Sequence, residues 1–406
     1  MSDWVTLEDV QAAHARISPY VRSSPLIHSR TFSDLAGVEI YLKCENLQRT
    51  GSFKIRGATN KILSLTERER TAGVVAASAG NHAQGVALAA KKTGIRAAIV
   101  MPEGAPISKI AATRGYGAEV VLAGHHYDDA YLEALELREE RGATYIHAFD
   151  DPAVIAGQGT IGLEILDQLP GVGTVVVPVG GGGLISGISA VVKSVNPRID
   201  VIGVQAQGQP SMFNSTQAGR PVEAEGVGTI ADGIAVKGPG EITFRHIRRF
   251  VDAMTTVTDD QIARTILLFL ERAKMLVEGA GAVSMAALLA GLKEEENLKE
   301  PVVAVVSGGN IDVNLLSRII ERGLAESGRF VRLRTTVVDQ PGALQRLLQV
   351  VARVRANVIS VAHDRLDLRL ALGRAGVELT LETRDRDHIQ KVINKLESEG
   401  YPVLKL

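Results

Sequence analysis

Short apolar runs recur between about residues 70 and 320, and most are followed by a glycine-containing turn and a helix-length stretch. Runs of this kind lie at 73–77, 97–101, 119–122, 145–148, 174–179, 201–204 and 302–306. Strands that alternate with helices in this way build parallel sheets covered by helices. Strands that are apolar throughout also suit a sheet buried on both faces. The pattern therefore predicts an α/β fold whose length allows two parallel sheets.

The pattern changes near residue 328. From there it predicts, in order, a strand, a helix, two strands, a helix and a strand, at 330–338, 343–356, 357–363, 377–383, 386–400 and 402–406. This β-α-β-β-α-β order is the ferredoxin-like arrangement, and residues 329–406 are enough for a small domain of that kind. The charged segment at 294–300 is predicted to be a solvated loop.

Composition limits the class of protein. The 406 residues suggest two or three domains, and 45 basic residues nearly balance 46 acidic ones without a basic block, so no nucleic-acid partner is expected. No apolar run reaches the ~18 residues of a membrane helix, and the first four residues lack the build of a signal peptide. The single cysteine, Cys44, is predicted to be a buried small hydrophobe and suits a reducing cytoplasm.

One lysine stands among small residues in the run TGSFKIRGA at 50–58. Lys54 follows a turn-forming Thr50-Gly51 pair and Ser52, a residue that can cap a helix. A lysine held there at the mouth of a pocket can form an imine with a carbonyl compound when its amine is neutral. Taken alone, Lys54 would more often be a solvated surface residue, but the motifs that follow favour the chemical interpretation.

A glycine loop lies between a predicted strand and a helix predicted for 184–195; it consists of Gly180, Gly181, Gly182 and Gly183. Its backbone N–H groups are uncovered, and the helix N-terminus adds partial positive charge, which together make a phosphate cradle. A flexible linker is the alternative, but the position between strand and helix disfavours it. The loop has neither the lysine and hydroxyl pair of a P-loop nor good G-x-G-x-x-G spacing. A small phosphorylated cofactor is therefore favoured over a nucleotide.

A third motif, SAGNHAQG at 78–85, also lies between a predicted strand and a predicted helix. It offers a hydroxyl, backbone N–H groups and an amide side chain at a helix start, where a substrate carboxylate or a phenolic oxygen could be held. Simple helix capping by Ser78 or Asn81 is the alternative. His82 by itself is more often structural than catalytic.

A fourth motif begins with Ser307, which ends a predicted strand at the expected active edge of an open sheet. A turn serine without a chemical role is the alternative for this residue. The pair His125-His126 precedes an acidic helix and shows no metal-ligand spacing. It is predicted to lie in a solvated loop, and no metal site is predicted.

These motifs together resemble those of the fold-type II pyridoxal-phosphate enzymes, specifically the threonine ammonia-lyase family. The matching stretches stand in that family's order over about residues 5–320: KCENLQRTGSFKIRGA, SAGNHAQG, DPAVIAGQGT, VPVGGGGL, ADGIAVKGPG, VEGAGA and VSGGN. The C-terminal VVDQPGALQRLL resembles the opening of an ACT domain, a ferredoxin-like module that usually binds amino acids. The resemblance implies a catalytic region at 1–320 and an ACT domain at 329–406. Within the catalytic region, a small α/β domain at about 50–150 would be inserted in a large α/β domain formed by 1–49 and 151–320.

The resemblance also implies which residues form the site. Pyridoxal 5'-phosphate would be bound by Phe53, Lys54, Asn81, Gly180, Gly181, Gly182, Gly183, Leu184, Ser307 and Glu278. The substrate would be surrounded by Ser78, Ala79, Gly80, His82 and Gly233. Phe53 would pack beside the ring, Asn81 would hydrogen-bond the phenolic oxygen, and the glycine loop with Leu184 would hold the phosphate.

The implied reaction is elimination of water from L-threonine and hydrolysis of the resulting enamine, which gives 2-oxobutanoate and ammonia; L-serine would give pyruvate and ammonia in the same way. Lys54 would carry the cofactor and, once freed, remove the α-proton as general base. Ser307 would face the pyridine nitrogen, and its neutral hydroxyl would moderate the electron sink in favour of losing the β-hydroxyl. The cofactor phosphate would be the acid for the departing hydroxyl.

The resemblance further implies a homodimer or homotetramer with an amino-acid effector at the ACT unit. We expect the ACT-like unit to pair with another copy and the effector to bind near Asp339, Gly342, Ala343, Leu344 and Asn357, because an exposed helix start can meet a carboxylate. Isoleucine or valine is expected as the effector by family analogy. A role in isoleucine biosynthesis and a catabolic role are both compatible with a single ACT-like unit.

Serine racemase is the nearest alternative enzyme, since it shares most of these motifs. The racemase branch carries a serine as the second acid or base where this chain has Ala79, and a methyl group cannot deliver a proton. The segment VQAQGQPS at 204–211, where that branch binds a divalent metal, has no acidic residue. A non-catalytic amino-acid sensor on the same fold is an alternative from another class, and the intact Lys54 and glycine loop argue against it.

Overall fold

The structure, a computed structural model, describes residues 4–366 and 370–406. The first three residues, on which the predicted lack of a signal peptide partly rests, lie outside the described part. Contacts divide the chain into two units, Met1–Ile311 and Asp312–Leu406. The division falls before the helix Val313–Glu326, which contacts the first strand of the second unit. Within the described residues, no helix combines the length and the apolar character needed to cross a bilayer.

The first unit contains helices and strands in alternation. Its helices are α1 (Leu7–Ile17), α2 (Arg30–Ala36), α3 (Lys54–Leu63), α4 (Glu67–Ala72), α5 (Asn81–Thr93), α6 (Ile107–Gly115), α7 (Tyr127–Arg141), α8 (Pro152–Gln168), α9 (Gly183–Val195), α10 (Ser211–Ala218), α11 (Glu241–Phe250), α12 (Asp259–Leu268), α13 (Gly279–Leu289) and α14 (Leu292–Glu296). Its strands are β1 (Leu26–His28), β2 (Ile40–Cys44), β3 (Val74–Ala77), β4 (Ala97–Met101), β5 (Glu119–Leu122), β6 (Thr144–Tyr145), β7 (Thr174–Pro178), β8 (Asp200–Ala206), β9 (Ala253–Val257) and β10 (Val302–Val306). Shorter helical turns lie at Glu45–Leu47, Asp232–Ile234 and Phe269–Ala273.

The larger sheet has six strands in the order β1-β2-β10-β7-β8-β9. Only β1 runs antiparallel to its neighbour; the remaining pairs are parallel. Every residue of β7 and β10 is buried, as predicted for apolar strands in a sheet covered on both faces. Cys44, the last residue of β2, is buried as predicted, and burial raises the pKa of its thiol to about 12.

The smaller sheet is parallel, with the order β5-β4-β3-β6. The chain leaves the larger sheet after β2 and returns to it at β7, so all four strands belong to the intervening segment. The strand predicted at 145–148 is shorter than expected, since β6 ends at Tyr145. The reason lies in the next carbonyl groups: Ile146 O accepts from His82 and Ala148 O accepts from Lys54.

The charged segment predicted as a loop at 294–300 is partly helical. The short helix α14 includes the first three residues of this segment, and Asn297, with a φ of +48°, caps its C-terminal end. Its glutamates are solvated as expected, but four-residue spacing of backbone hydrogen bonds, such as Asn297 N to Lys293 O at 3.0 Å, makes the segment a helical turn.

Helices α3, α8 and α9 pack through glycines. A Cβ atom on Gly157 of α8 would lie 2.6 Å from Gly57 Cα of α3, and one on Gly187 of α9 would lie 2.5 Å from Gly159 N of α8. No side chain fits at such separations, so the helix backbones touch directly. Because Lys54 is the first residue of α3, these contacts fix the helix that carries it.

A cluster of buried charges lies behind the same helix. The Arg56 guanidinium forms ion pairs with Glu45 (2.7 Å) and Glu164 (2.6 Å), and Lys43 Nζ lies 2.6 Å from Glu164. Burial lowers the pKa of Lys43, and Glu164 opposes this effect. Although burial alone would raise it, Arg56 and Lys43 hold the pKa of Glu164 below its usual range. The charges are buried with their partners, as buried ions require.

The second unit has the predicted β-α-β-β-α-β order after an initial helix. Its elements are α15 (Val313–Glu326), β11 (Phe330–Val338), α16 (Ala343–Arg353), β12 (Asn357–Asp364), β13 (Arg374–Glu382), α17 (Arg386–Ser398) and β14 (Leu404–Lys405). The sheet is antiparallel with the order β12-β13-β11-β14. Alternate residues of β11 and β13 are buried against α16 and α17, which gives one helix-covered face.

Candidate active site

Lys54 lies where two motifs meet. Phe53 N donates to Ser307 O (3.1 Å), and Gly309 N donates to Gly51 O (2.8 Å). These bonds join the turn before α3 to the end of β10, the central strand of the larger sheet. The start of α3 is therefore tied to the carboxyl edge of that sheet, the edge at which open α/β sheets bind ligands.

The Lys54 ammonium has a single described hydrogen-bond partner, the carbonyl of Ala148 at 2.9 Å. It lies 5.3 Å from the centroid of the Phe53 ring. Burial lowers the pKa of Lys54 to about 8, although Glu278 acts in the opposite direction. At pH 7 about one amine in ten is then neutral, against about one in 3,000 for the ordinary value of 10.5. The surroundings of Lys54 thus favour a nucleophilic amine.

The glycine loop joins β7 to α9. Gly182 has φ +95°, a conformation suited to glycine, and Gly183 begins the helix. In the hydrogen bonds described for this loop, its carbonyl groups are the acceptors. For example, Thr243 Oγ1 donates to Gly181 O at 2.6 Å. The first N–H groups of α9 have no partner within their own helix. They form a donor set that suits a phosphate.

The segment 147–149 connects Lys54 with this loop, although its sequence predicted only the end of a strand. Ala148 provides the carbonyl that holds Lys54, and the next residue, Phe149, packs against Gly181 and Gly183. A Cβ atom on Gly181 would lie 2.5 Å from the Phe149 ring. His147 Nδ1 accepts from the backbone N–H groups of Phe149 (3.2 Å) and of the residue after it (2.8 Å). The segment therefore fixes the lysine relative to the phosphate cradle.

Asn81 and Glu278 are brought together, as the site assignment expects. Asn81 Nδ2 donates to Glu278 Oε1 at 2.7 Å, and a Cβ on Gly233 would lie 3.6 Å from the same oxygen. Burial raises the pKa of Glu278 to about 7, with a further contribution from Asp232 and opposition from the Asn81 hydrogen bond. Asp232 itself pairs with Lys109 of α6 at 2.9 Å. Glu278 is therefore an acid that titrates near neutral pH inside the site.

The segment after β3 divides into exposed and buried parts. Ser78, Ala79 and Gly80 are partly exposed, and Ser78 Oγ accepts from Gly80 N at 3.1 Å. His82 is 4 % exposed, and its Nε2 donates to Ile146 O at 2.8 Å. Burial lowers the pKa of His82 to about 3, with a further lowering by Lys54. The His82 ring thus donates to a backbone carbonyl, close enough to Lys54 for the lysine charge to affect its pKa.

Ser307 is 2 % exposed, and its hydroxyl donates to Ala280 O at 3.3 Å. Its carbonyl holds the backbone of Phe53. The residue therefore lies at the strand end predicted for it, next to the lysine turn. His125 is exposed, and the backbone N–H groups of the His125-His126 pair donate to Asp129. Among the described residues, no group of three His, Cys, Asp or Glu side chains could hold a metal ion.

The predicted effector residues are not all close together within one chain. Gly342 (φ +80°) precedes α16, and Asp339 pairs with Arg365 at 2.6 Å. Ala343 and Leu344 form the first turn of that helix. Asn357, however, pairs with Glu382, whereas Val338 pairs with Arg374, so Asn357 lies at the opposite end of the sheet. Within one copy, the start of α16 and Asn357 therefore lie at two separate places on the sheet.

Comparison with known proteins defines the family. Residues 17–308 match the family described as pyridoxal-phosphate dependent enzyme, and residues 328–400 match the ACT domain. The chain belongs to the pyridoxal-phosphate dependent enzymes and carries a C-terminal ACT domain. The predicted fold class, the cofactor and the family resemblance are thus confirmed.

Individual relatives show which members of this family the chain is similar to. The chain is 54% identical to the L-threonine ammonia-lyase of Thermotoga maritima over 399 residues, which is 98% of this chain and 99% of that protein. Its structure is similar to the processed form of threonine deaminase isoform 2 from Solanum lycopersicum, with a TM-score of 0.74, 42% identity and coverage of 78% of this chain and 91% of that one. It is also similar to maize serine racemase, with a TM-score of 0.74, 35% identity and coverage of 79% and 98%.

The residues present fit pyridoxal phosphate. A nucleophilic lysine amine suits the aldehyde, and helix-start N–H groups on a glycine loop suit the phosphate. The amide of Asn81 can donate to a phenolic oxygen, and the Ser307 hydroxyl is neutral. The donor set therefore matches each functional group of the cofactor by its chemistry.

The lowered pKa of Lys54 has a measurable consequence in cofactor-free protein. Acetylation of Lys54 by acetic anhydride is expected to accelerate through a midpoint near pH 8, because only the neutral amine attacks. Mass spectrometry of the labelled peptide gives the rate at each pH, and exposed Lys91 in the same samples is the internal control. A Lys54 midpoint near 10.5 would contradict the environment described above.

Proposed function

We propose that this protein is an L-threonine ammonia-lyase that converts L-threonine to 2-oxobutanoate and ammonia, and L-serine to pyruvate. The observation that carries the proposal is the position of Lys54, which is held by Ala148 O while the next residue, Phe149, packs on the glycine loop. The similarity to L-threonine ammonia-lyase over nearly the whole chain supports the same activity.

In this proposal Lys54 carries the cofactor, Phe53 packs beside it, and the glycine loop with Leu184 holds the phosphate. With the cofactor bound, Ser307 would offer a neutral hydroxyl to the ring nitrogen, and Asn81 would donate to the phenolic oxygen. When bound, pyridoxal phosphate supplies the electron sink that stabilises negative charge at the substrate α-carbon.

Proton transfer is assigned to the chain's own groups. Lys54 Nζ removes the α-proton once the amine is free, and its lowered pKa of about 8 raises the fraction of neutral amine near pH 7. Partly exposed Ser78, Ala79 and Gly80 contribute to the carboxylate end of the substrate site through the start of α5, where backbone N–H groups suit an anion. Gly233 forms the opposite wall, beside Glu278.

The deciding experiment is a steady-state assay of the purified holoenzyme with L-threonine and L-serine. We expect 2-oxobutanoate and pyruvate as products. Formation of D-serine from L-serine without 2-oxo acid would favour the racemase alternative, against which Ala79 and the absence of acidic residues at 204–211 argue. Colourless protein that still binds an amino acid would favour the sensor alternative.

We further propose that the protein is a cytoplasmic homo-oligomer regulated through its ACT domain, by isoleucine or valine, within isoleucine biosynthesis. The edge strand β12 supports pairing between copies, because Val358, Ile359 and Val361 are 36%, 59% and 37% exposed on it. An unpaired strand edge with apolar side chains is a template for a second strand. The buried free thiol of Cys44 suits a reducing compartment.

Pairing of β12 between two copies would also bring the predicted effector residues close together. If two β12 strands align antiparallel, Asn357 of one copy meets the Asp364 end of the other. Asp364 pairs with Gly376, next to the end of β11 from which the Asp339 to Gly342 turn begins. The proposed effector site therefore lies between copies, with the start of α16 from one and Asn357 from its partner.

Ile359→Lys is expected to abolish effector response and reduce the molar mass in sedimentation, because a charge would enter the proposed strand pair. Deamination without effector should be retained. Leu372→Lys is the matched control, since Leu372 is fully exposed outside β12. Wild-type mass and wild-type response to isoleucine and valine in the Ile359→Lys protein would argue against pairing through this strand.

A further inference from the structure

We propose that Asn310 is a positioning residue that fixes which way the Asn81 amide faces, so that Asn81 presents N–H donors to the site. The inference rests on the proposed function, in which Asn81 meets the phenolic oxygen of the cofactor. It concerns a hydrogen-bond relay that runs from Thr50 O through Asn310 and Asn81 to Glu278.

The direction of the relay follows from its first member. The carbonyl of Thr50 can only accept, so the group that faces it at 2.7 Å must be the NH₂ of Asn310. The same NH₂ lies 2.7 Å from the Asn81 side chain, whose facing atom must then be its oxygen. The Asn81 NH₂ consequently points to Glu278 Oε1, also at 2.7 Å. A backbone carbonyl thus sets the sense of both amides.

Hydrogen bonds also hold the backbone of residues 309 and 310 in place. Gly309 N donates to Gly51 O, and the backbone N–H of Asn310 hydrogen-bonds the Glu278 carboxyl. Gly51 has φ +71°, and a Cβ there would lie 2.5 Å from Asn310 Oδ1. The turn before Lys54 therefore leaves room for the Asn310 amide only while position 51 is glycine.

The alternative orientation would change the chemistry of the site. An Asn81 amide turned over would direct its oxygen at the Glu278 carboxyl and could not donate to an acceptor there. With the relay intact, one Asn81 N–H meets Glu278 and the second remains a donor. Asn310 touches neither the substrate nor the cofactor in this assignment, and it acts through Asn81.

Asn310→Asp tests the relay with almost no change of shape. A carboxylate cannot donate to Thr50 O or to Asn81, so Asn81 is expected to turn over. We expect the Kd for pyridoxal phosphate, titrated into cofactor-free protein and followed by visible absorbance, to rise about 10- to 100-fold, as for loss of a hydrogen bond to a charged group. The pH midpoint of the bound spectrum should shift as well. Gly51→Ala should act in the same direction by displacing Asn310.

Exposed Asn314→Asp is the matched control and should bind with the wild-type Kd and spectrum. Circular dichroism establishes that each variant is folded, and Asn310→Ala, which adds no charge, replaces Asn310→Asp if the latter does not fold. Wild-type Kd and spectrum in a folded Asn310 variant, even with lowered thermal stability, would overturn the relay alone. A wild-type protein that takes up no cofactor would overturn the proposed function and the relay with it.

Discussion

Replacing Lys54 with alanine is expected to lower the rate of threonine deamination at least about 1,000-fold. The substitution removes both the amine that carries the cofactor and the base that takes the α-proton, and either loss alone is large. Formation of 2-oxobutanoate under saturating threonine and cofactor measures the effect. Lys54→Arg should be as inactive, because a guanidinium keeps the charge but is never neutral near pH 7.

The variant is expected to stay folded, since the Lys54 ammonium makes only the one described hydrogen bond to Ala148 O. Far-ultraviolet circular dichroism checks this point. Lys91→Ala, on the exposed side of α5, is the matched control and should retain activity. Deamination at the wild-type rate by Lys54→Ala protein would refute the catalytic assignment.

Arg56→Met is expected to lower the free energy of unfolding by about 3–5 kcal/mol, the usual result of removing one partner from a buried ion pair. It leaves the fully buried Glu45 carboxylate without its cationic partner, and it leaves Lys43 as the one cation paired with Glu164. Urea denaturation followed by circular dichroism measures the change. Activity should fall as well, because Arg56 lies two residues after Lys54 on the same helix.

Two further variants show whether the buried charges cause that loss. Arg30→Met removes the exposed pair with Asp34, whose atoms are 3.8 Å apart, and should leave the urea midpoint unchanged. Replacing Glu45 and Arg56 together by methionine should recover part of the stability, because no charge is then buried alone. If the double variant loses as much free energy of unfolding as Glu45→Met and Arg56→Met lose together, packing and not charge explains the effect.

Apolar runs were enough to predict most strands of the two sheets of the first unit. In β3, β4, β7 and β10 every residue is buried, and such strands contain little besides apolar residues. Three strands of the larger sheet escaped this pattern. The strand β1 has only three residues, too few to form a recognisable run. In β2, the charge of Lys43 interrupts the run, although its partners in the buried cluster make the position an interior one. In β9, two threonines lie on a partly buried edge strand that resembles a loop in composition.

Site residues within one motif were predictable, whereas contacts between distant backbone and side-chain atoms were not. Ala148 is 94 residues from Lys54, and nothing in its own sequence context marks its carbonyl as a partner. Asn310 stands in a quoted motif, yet its partner Asn81 is 229 residues away. The distance of Asn357 from the start of α16 within one copy was predictable, because a β-α-β crossover makes β11 and β12 parallel and puts the start of β12 far from the end of β11.

The order of the six-stranded sheet bears on incomplete chains. The strand β10 is the last of the sheet to leave the ribosome, yet it lies between β2 and β7 at the centre. A polypeptide ended by an early stop codon before Val302 would carry two long unpaired strand edges in place of a closed core. We therefore expect a catalytic unit truncated before β10 to be inactive and prone to aggregation, which makes it a substrate for cellular chaperones and proteases.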